Sequence, residues 1–330
     1  MKRVQYHTQA EWHELRRQNI GGSDIGSLFN AWRLSDGVIC YRHMFQDAPK
    51  GAELVGCVSP YKTGVRLWHE RRGNLIEEPF NNPRTEAGTH FEAGIAAWAK
   101  ERTGWDIRKV TDYILHEDVK GMAASLDYEI IDHPKGHTAM DCKETAPWIF
   151  KQSWLDRGEQ PEPPLHIILQ LHHQMACAEM VHSVAAVYQS GVDLFIPEVE
   201  RNETIISMVE EAVTAFWLHV EENEAPDITM DFSVASDLYQ SADKQILLDM
   251  TGKDEFQKLV DAWDFARQQH RRWGEAKDAA YYQILAEIRE ASEITLPDGR
   301  VLEAPTANRR GYTKQIQPST FRKLSLTTKK

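Results

Sequence analysis

The sequence has few long apolar runs and no paired cysteines. Among its 330 residues, no apolar run approaches the ~18 residues of a transmembrane helix. The amino-terminal stretch MKRVQYH lacks the apolar segment of a signal peptide, so we expect a cytoplasmic protein with no membrane association. The cysteines form no Cys-x-x-Cys pair, which argues against a disulfide framework, a zinc ribbon or an iron–sulfur cluster. They are Cys40, Cys57, Cys142 and Cys177.

Two further features narrow the chemistry. His172 and His173 are neighbours on a predicted helix and are expected to be packing residues. The glycine-rich motifs of nucleotide-binding enzymes, Gly-x-Gly-x-x-Gly and the P-loop, are missing. A metabolic α/β enzyme is therefore the least favoured class.

Acidic residues outnumber basic ones. Asp and Glu total 50 against 38 Lys and Arg, which gives a formal net charge of −12 at pH 7 and by itself argues against a nucleic-acid partner. Residues 308–330, however, contain basic residues and no acid. This basic tail fits either a disordered solubilising end or a segment that contacts a DNA backbone. Its basic residues are Arg309, Arg310, Lys314, Arg322, Lys323, Lys329 and Lys330.

The order of predicted elements indicates a mixed α/β core. Phe91, Ile95 and Trp98 recur at helical spacing and predict a helix from about residue 85 with these side chains buried. A further helix is predicted over 165–181, and another begins after Asn202, a good N-cap residue. The predicted strands cover 111–116, 122–131, 138–144, 184–190 and 192–199.

Composition changes after Pro226 and predicts a second part of the chain. Residues 1–230 are expected to form the α/β domain, with an irregular insertion at about 30–58 that Gly, Pro, Asp and Lys interrupt. Residues 231–330 are expected to form a long helix over 243–291, a hairpin-like turn at 296–300 and the basic tail.

The stretch from Met122 to Lys143 carries the most informative chemical pattern. Asp127 lies on one predicted strand, and Asp141 and Lys143 lie on the next. Because successive side chains of a strand point to opposite faces, Asp141 and Lys143 project together. Carboxylates that hold a divalent metal, beside a lysine that orients or deprotonates water, suit phosphodiester hydrolysis. The alternative is a solvated ion pair on a surface strand.

Several short sequence blocks, in a fixed order along the chain, accompany this pattern. They are WHELR (12–16) with GGSD (21–24), SPYKT (59–63) with LW (67–68), GTHFE (88–92), ASLD (124–127), DCK (141–143) and QLHHQM (170–175). Together they resemble the YqaJ-type viral recombinase family, which is lambda exonuclease-like and belongs to the PD-(D/E)XK nuclease superfamily. The resemblance implies a PD-(D/E)XK restriction-endonuclease-like core, a mixed central sheet flanked by helices, with a helical carboxy-terminal extension.

The chain departs from the family pattern at three places. Asp141 stands where relatives usually have Glu, which shortens the side chain by one methylene group. Asp127 lacks the usual flanking proline and glycine, and the insertion at about 30–58 separates two blocks that are nearly adjacent in most relatives. None of these departures removes a catalytic atom.

The resemblance also implies a metal site. Asp127 and Asp141 would hold Mg²⁺, for which Mn²⁺ substitutes, and Glu92 and the backbone carbonyl of Cys142 would complete the ligands, since hard cations prefer oxygen. Lys143 would position the water nucleophile and stabilise the transition state.

The remaining implied roles concern orientation and end recognition. Gln170 would orient Lys143 or the water. Arg16 and Ser23 would capture a terminal 5′-phosphate, a group that suits the fork of a guanidinium.

The function expected from the resemblance is a metal-dependent, phage-type exonuclease. It would degrade double-stranded DNA from 5′ ends and leave 3′ single strands for recombination by strand annealing. Family precedent implies a homotrimer, a phage single-strand annealing protein as partner, and a phage or prophage origin in a bacterial host. Two alternatives stay open: an endonuclease or single-strand nuclease on the same fold, and a DNA-binding or scaffolding module without catalytic activity.

Overall fold

The computed structural model describes residues 2–77, 83–155, 160–306 and 323–324. Within these ranges the helices are α1 (Gln9–Arg17), α2 (Gly22–Ile25), α3 (Gly64–Arg71), α4 (Pro83–Thr103), α5 (Pro147–Ser153), α6 (Leu165–Ala178), α7 (Glu203–Glu221), α8 (Val234–Leu238) and α9 (Asp254–Ile288). The strands are β1 (Lys2–Gln5), β2 (Phe29–Arg33), β3 (Ile39–His43), β4 (Glu53–Cys57), β5 (Ile107–Lys109), β6 (Asp112–Leu115), β7 (Ala123–Ser125), β8 (Tyr128–Ile130), β9 (Thr138–Thr145), β10 (His182–Gln189), β11 (Asp193–Phe195), β12 (Glu198–Glu200), β13 (Glu293–Thr295) and β14 (Val301–Glu303). The chain divides into two compact units, Met1–Leu238 and Tyr239–Lys330.

Strand β9 runs through a six-stranded mixed sheet. The strand order is β11-β10-β9-β8-β5, and β12 also pairs with β10. Strands β9 and β10 are parallel, whereas β8 pairs with β9 in the antiparallel sense. Met140 of β9 packs with Ile95 of α4 on one face, and Ala185 of β10 packs with Leu171 of α6 on the other. The predicted mixed central sheet flanked by helices is confirmed.

A second, three-stranded sheet has the order β1-β6-β7. Ala124 of β7 belongs to one apolar cluster with Met175 of α6, so α6 packs against both sheets. The chain leaves this sheet after β7 and joins the central sheet as β8. The single strand predicted over 122–131 is therefore two strands, and Asp127 lies at the crossing between the sheets.

Helix α7 packs beside α6 and contributes buried side chains to the same apolar cluster. The side chain of Asn202 accepts hydrogen bonds from the amides of Thr204 and Ile205, at 3.0 and 3.3 Å, so the predicted N-cap is confirmed. The apolar stripe of the helix is buried because its members recur on one face at helical spacing. They are Ile206, Val209, Val213, Phe216 and Val220.

The prediction of an irregular segment at 30–58 was wrong. Three strands in this segment form an antiparallel sheet with the order β3-β2-β4. Its register shifts between Ala31 and Trp32, and both edge strands are largely exposed or half-buried. Half-exposed strands with a bulge lack a regular apolar alternation, so the sequence pattern does not reveal them.

The predicted burial of the α4 stripe was correct only in part. Ile95 is buried, but the side chain of Phe91 is 48% exposed. The rings of Phe91 and Trp98 both lie beside Tyr188 of β10, with centroids 6.1 and 6.0 Å away. Phe91 therefore contacts the rim of the central sheet instead of its buried face.

The second unit contains α9 and a hairpin. Helix α9 is shorter at both ends than the predicted helix over 243–291, while the predicted turn at 296–300 joins the paired strands β13 and β14. Of the basic tail, only Lys323 falls within the described residues. No helix among the described residues is long and apolar enough to span a membrane. The tail residues outside the described ranges are Arg309, Arg310, Lys314, Arg322, Lys329 and Lys330.

Candidate active site

Asp141 and Lys143 project from the same face of β9, as the alternation of strand side chains predicts. The Lys143 ammonium forms an ion pair with Oδ2 of Asp141. Met140 and Cys142 point to the opposite face, where both belong to the cluster that packs against α4. Asp141 is 1% exposed, so this ion pair is not the solvated surface pair of the alternative interpretation.

Two glutamines of α6 hold the other oxygen of Asp141. Nε2 of Gln170 donates a hydrogen bond to Oδ1 at 2.7 Å, and Nε2 of Gln174 donates to the same oxygen at 3.1 Å. The two side chains meet one carboxylate because residues four apart lie on one helix face. Gln170 therefore contacts Asp141 directly, whereas the family resemblance implied that it orients Lys143 or the water. The sequence offered Gln174 at the right spacing, but it carried no predicted role.

Asp127 reaches the same strand from the crossing between the two sheets. Its Oδ2 accepts a hydrogen bond from the backbone amide of Cys142 at 2.8 Å. Burial, then repulsion by Asp141, raises the pKa of Asp127 to about 7, and Lys143 offsets part of this shift. The structure therefore brings two carboxylates and one ammonium to the centre of β9.

Burial and neighbouring charges shift the pKa of Lys143 in opposite directions. Burial lowers its pKa, but the negative charges of Asp141 and Asp127 outweigh burial and leave the pKa above the usual lysine value. The side chain is thus an ammonium at neutral pH. Burial also raises the pKa of the neighbouring Cys142 thiol, which the two carboxylates reinforce, so Cys142 is not a thiolate nucleophile.

Glu92 does not reach the two aspartates in this structure. Its carboxylate forms an ion pair with Lys109 of β5, and Lys109 also lies over the ring of Tyr128, 4.7 Å from the centroid. Among the described residues, Glu92, Asp127 and Asp141 do not form a group with all ligand atoms within 4.8 Å. The sequence did not reveal Lys109, because its proximity to Glu92 depends on the packing of α4 against the sheet.

Arg16 and Ser23 come together as predicted. Nη2 of Arg16 lies 3.5 Å from Oγ of Ser23 and 3.2 Å from Oδ2 of Asp24. The guanidinium also stacks on the ring of Trp12, with its Cζ 5.0 Å from the centroid, and Trp12 donates a hydrogen bond to Oγ of Ser125 at 3.2 Å. A planar cation is therefore held at the start of α2 by contacts on several sides.

Arg71 is a member of this group that the sequence did not reveal. Its Nη2 contacts the same Oδ2 of Asp24 at 3.2 Å, and its side chain is 1% exposed. Burial would raise the pKa of Asp24, but Arg16 and Arg71 outweigh it and lower that pKa. Asp24 is therefore a buried carboxylate shared by two guanidinium groups.

A second cluster of possible ligands lies at the ends of β10 and β12. The ligand atoms of His133, His182 and Glu198 all lie within 4.8 Å of one another. The two imidazole rings, however, are stacked 4.6 Å apart at an interplanar angle of 21°, so their in-plane lone pairs run side by side instead of converging on one ion. The Lys135 amide donates to Nδ1 of His133, and the Lys135 ammonium lies 3.2 Å from Glu198. We assign this cluster to packing and ion pairing.

Comparison with known proteins gives one family match, over residues 42–181. This range matches the family model of the YqaJ-like viral recombinase domain, and no curated protein matches the chain. Among solved structures, the alkaline exonuclease LHK-Exo from Laribacter hongkongensis is 19% identical, with a TM-score of 0.48 over 69% of this chain and 97% of that chain. Its complex with dAMP gives 20% identity and a TM-score of 0.48 over 65% and 94%.

A phage-related exonuclease from Haemophilus somnus 129PT is 10% identical, with a TM-score of 0.42 over 62% of this chain and 94% of that chain. Structural likeness at this level supports no conclusion about activity. The family match is more informative, because its range contains Glu92, Asp127, Asp141, Lys143 and Gln170, although not Arg16 or Ser23. Residues 42–181 are therefore similar to the YqaJ-like viral recombinase domain.

Proposed function

We propose that this protein is a metal-dependent deoxyribonuclease that degrades double-stranded DNA from 5′ ends. The observation that carries the proposal is the convergence of Asp127, Asp141 and Lys143 at β9, with Gln170 bound to Asp141. Carboxylates that can hold a divalent cation, beside an ammonium, suit phosphodiester hydrolysis. The YqaJ-like domain agrees with this activity.

The residues present fit a divalent cation. Asp127 and Asp141 crowd two buried carboxylates together, and this crowding contributes to the raised pKa of Asp127. Asp127, Asp141 and the carbonyl of Cys142 would hold Mg²⁺ or Mn²⁺, and Glu92 would join them on leaving Lys109. When bound, the cation would supply electrostatic stabilisation of the phosphoryl group under attack.

The protein's own side chains supply orientation and charge. Gln170 and Gln174 fix the rotamer of Asp141 through its Oδ1. The ammonium of Lys143 lies at the other oxygen of Asp141, where it can donate hydrogen bonds to a water molecule and to a phosphate oxygen. Because these donors are held before substrate binds, they stabilise developing negative charge at little reorganisation cost.

Arg16 and Ser23 would bind the terminal 5′-phosphate. Arg16 is held by Trp12 and Asp24, and its guanidinium and the Ser23 hydroxyl both donate to phosphate oxygens. A strand anchored by its 5′-phosphate enters the active site in one register. Digestion from 5′ ends follows from that anchoring.

The biological setting of the proposal rests on the resemblance. The 3′ single strand left by digestion would be the substrate of a phage single-strand annealing protein in recombination. A homotrimer around DNA, in the cytoplasm of a bacterial host and of phage or prophage origin, would suit such an enzyme.

Degradation of linear duplex DNA tests the proposal. Substrates with 5′-phosphate or 5′-hydroxyl ends are incubated with the protein in Mg²⁺ and in EDTA, beside closed circular DNA. We expect loss of the linear 5′-phosphorylated duplex in Mg²⁺ but not in EDTA. Lys143→Ala should abolish this loss, and Lys120→Ala, which alters a lysine with a 91% exposed side chain, should retain it. Cutting of the circle would indicate an endonuclease. Binding without any cleavage would indicate the DNA-binding or scaffolding module.

A further inference from the structure

Gly22 lies directly against the two glutamines that hold Asp141. A Cβ atom at Gly22 would lie 3.1 Å from Cγ of Gln170 and 3.5 Å from Cγ of Gln174. The first distance is tighter than ordinary van der Waals contact, so a side chain at this position must displace Gln170 by a few tenths of an ångström. The neighbouring Gly21 has no atom within 4 Å of its own Cβ position.

The same short helix carries Ser23, one of the two residues assigned to end binding. Ser23 and Asp24 follow Gly22 in α2, and Arg16 contacts both. On the other side of Gly22, the amides of Gln170 and Gln174 reach Asp141. Gly22 thus lies between the group that would bind a 5′-phosphate and the glutamines that hold Asp141.

We propose that Gly22 is a positioning residue that couples these two groups. Because it has no side chain, α2 approaches α6 closely enough to pack on Gln170 and Gln174 while both amides keep their hydrogen bonds to Asp141. The inference rests on the proposed function for the identity of the two ligands. It adds that the spacing between the 5′-phosphate site and the metal site depends on one glycine.

An alanine at this position would change the positions of the glutamines, without straining the backbone. Gly22 lies in a helical segment and has no positive φ, and alanine is the better helix former. The added methyl group therefore meets Cγ of Gln170, two bonds from the amide nitrogen that binds Asp141. Displacing that amide leaves the carboxylate less well oriented.

Mn²⁺ binding to the full-length protein is the direct test, measured by the loss of the free-ion electron paramagnetic resonance signal. We expect Gly22→Ala and Gln170→Ala each to weaken Mn²⁺ binding about 10-fold, the lower end of the effect of losing a residue that orients a metal ligand. Gly21→Ala is the matched control and should bind Mn²⁺ as the wild type does. Equal Mn²⁺ affinity in Gly22→Ala and wild type would overturn the inference.

The double variant Gly22→Ala/Gln170→Ala decides whether the effect passes through Gln170. If it does, the double variant binds Mn²⁺ no more weakly than Gln170→Ala alone, because the two changes are not independent. Losses that multiply would refute the coupling. Should Gly22→Ala fail to fold, recovery of folding in the double variant supports the contact with Gln170, and its absence overturns it.

Failure of the proposed function gives a different result. If the wild-type protein neither binds Mn²⁺ nor degrades DNA, the proposed function fails. If the wild type does both and Gly22→Ala matches it, only the role of Gly22 fails.

Discussion

Gln170 donates a hydrogen bond of 2.7 Å to Oδ1 of Asp141, across the interface between helix α6 and strand β9. The opposite oxygen of the same carboxylate faces the ammonium of Lys143. One buried negative charge is therefore satisfied by an amide on one side and a cation on the other, which fixes both its position and its rotamer.

Replacing Gln170 with glutamate should destabilise the protein in EDTA. The substitution conserves shape but removes the donor and adds a second carboxylate beside Asp141, which we expect to cost about 1–3 kcal/mol. Urea denaturation measures the change, and Mn²⁺ should restore part of the loss because a cation offsets the added charge. Gln18→Glu, at an exposed position, is the control. Equal stability of Gln170→Glu and wild type would contradict the described geometry.

Asp24→Asn should be strongly destabilising. Asp24 neutralises Arg16 and the fully buried Arg71, and removal of one partner of a buried ion pair costs about 3–5 kcal/mol. The exposed pair of Arg17 and Glu14 provides the contrast, since Glu14→Gln should change stability by less than about 1 kcal/mol. Denaturant midpoints of the two variants give the comparison, and similar shifts for both would refute it.

Gly121→Ala should be more damaging than Gly136→Ala. Both glycines have positive φ, of 78° and 99°, which costs an L-residue about 1–2 kcal/mol. At Gly121 the added methyl group would also collide with the indole of Trp217, which donates a hydrogen bond to the Gly121 carbonyl. We expect this overpacking to add about 1–3 kcal/mol. Thermal unfolding of both variants tests the order, and a reversed order would contradict it.

The free energy of unfolding should fall as the pH is lowered, because His173 is buried in the folded protein. This side chain is fully buried, and burial lowers its pKa from 6.5 to about 4. Between these values the unfolded chain binds a proton that the folded chain does not, so stability is lost as pH falls from about 6.5 toward 4. The loss from this group should be on the order of 2 kcal/mol by pH 5.

The variant His173→Gln tests this dependence. It should flatten the decline in unfolding free energy between pH 6.5 and 5, while His13→Gln, at an exposed histidine, should leave the decline unchanged. Identical pH profiles for wild type and His173→Gln would show that the buried imidazole is not the group responsible.

The position at which the first unit ends predicts how stable a shortened chain should be. The sequence suggested a domain of residues 1–230, but the compact unit extends to Leu238. Residues beyond 230 include Val234, which is fully buried, and Asp231, which accepts a hydrogen bond from Thr63 at 2.6 Å. A chain of residues 1–238 should be more stable than residues 1–230 by about 2–3 kcal/mol. Equal urea midpoints would place the boundary at 230.

Local periodicity accounts for the parts of the site that the sequence predicted correctly. The alternation along β9 places Asp141 and Lys143 on one face, because the period of a strand is set by the backbone itself. Helical spacing likewise places Gln170 and Gln174 on one face of α6. Asn202 marks the start of α7 for the same local reason.

The residues that the sequence missed depend on contacts between distant elements. Arg71 meets Asp24, and Lys109 meets Glu92, only after separate helices and strands have packed. The strands within 30–58 also escaped prediction, because exposed edge strands with a bulge have no regular apolar alternation.

The sequence by itself determined which side chains are available and which neighbours share a face. That was sufficient to predict the α/β class and the group of Asp127, Asp141 and Lys143, whereas the pairing of Arg16 with Ser23 was implied by the family resemblance. Only the tertiary structure decided that Glu92 binds Lys109 and that Gly22 packs on Gln170. The physical reason is that periodicity is encoded over a few residues, whereas the approach of two elements depends on how the whole core packs.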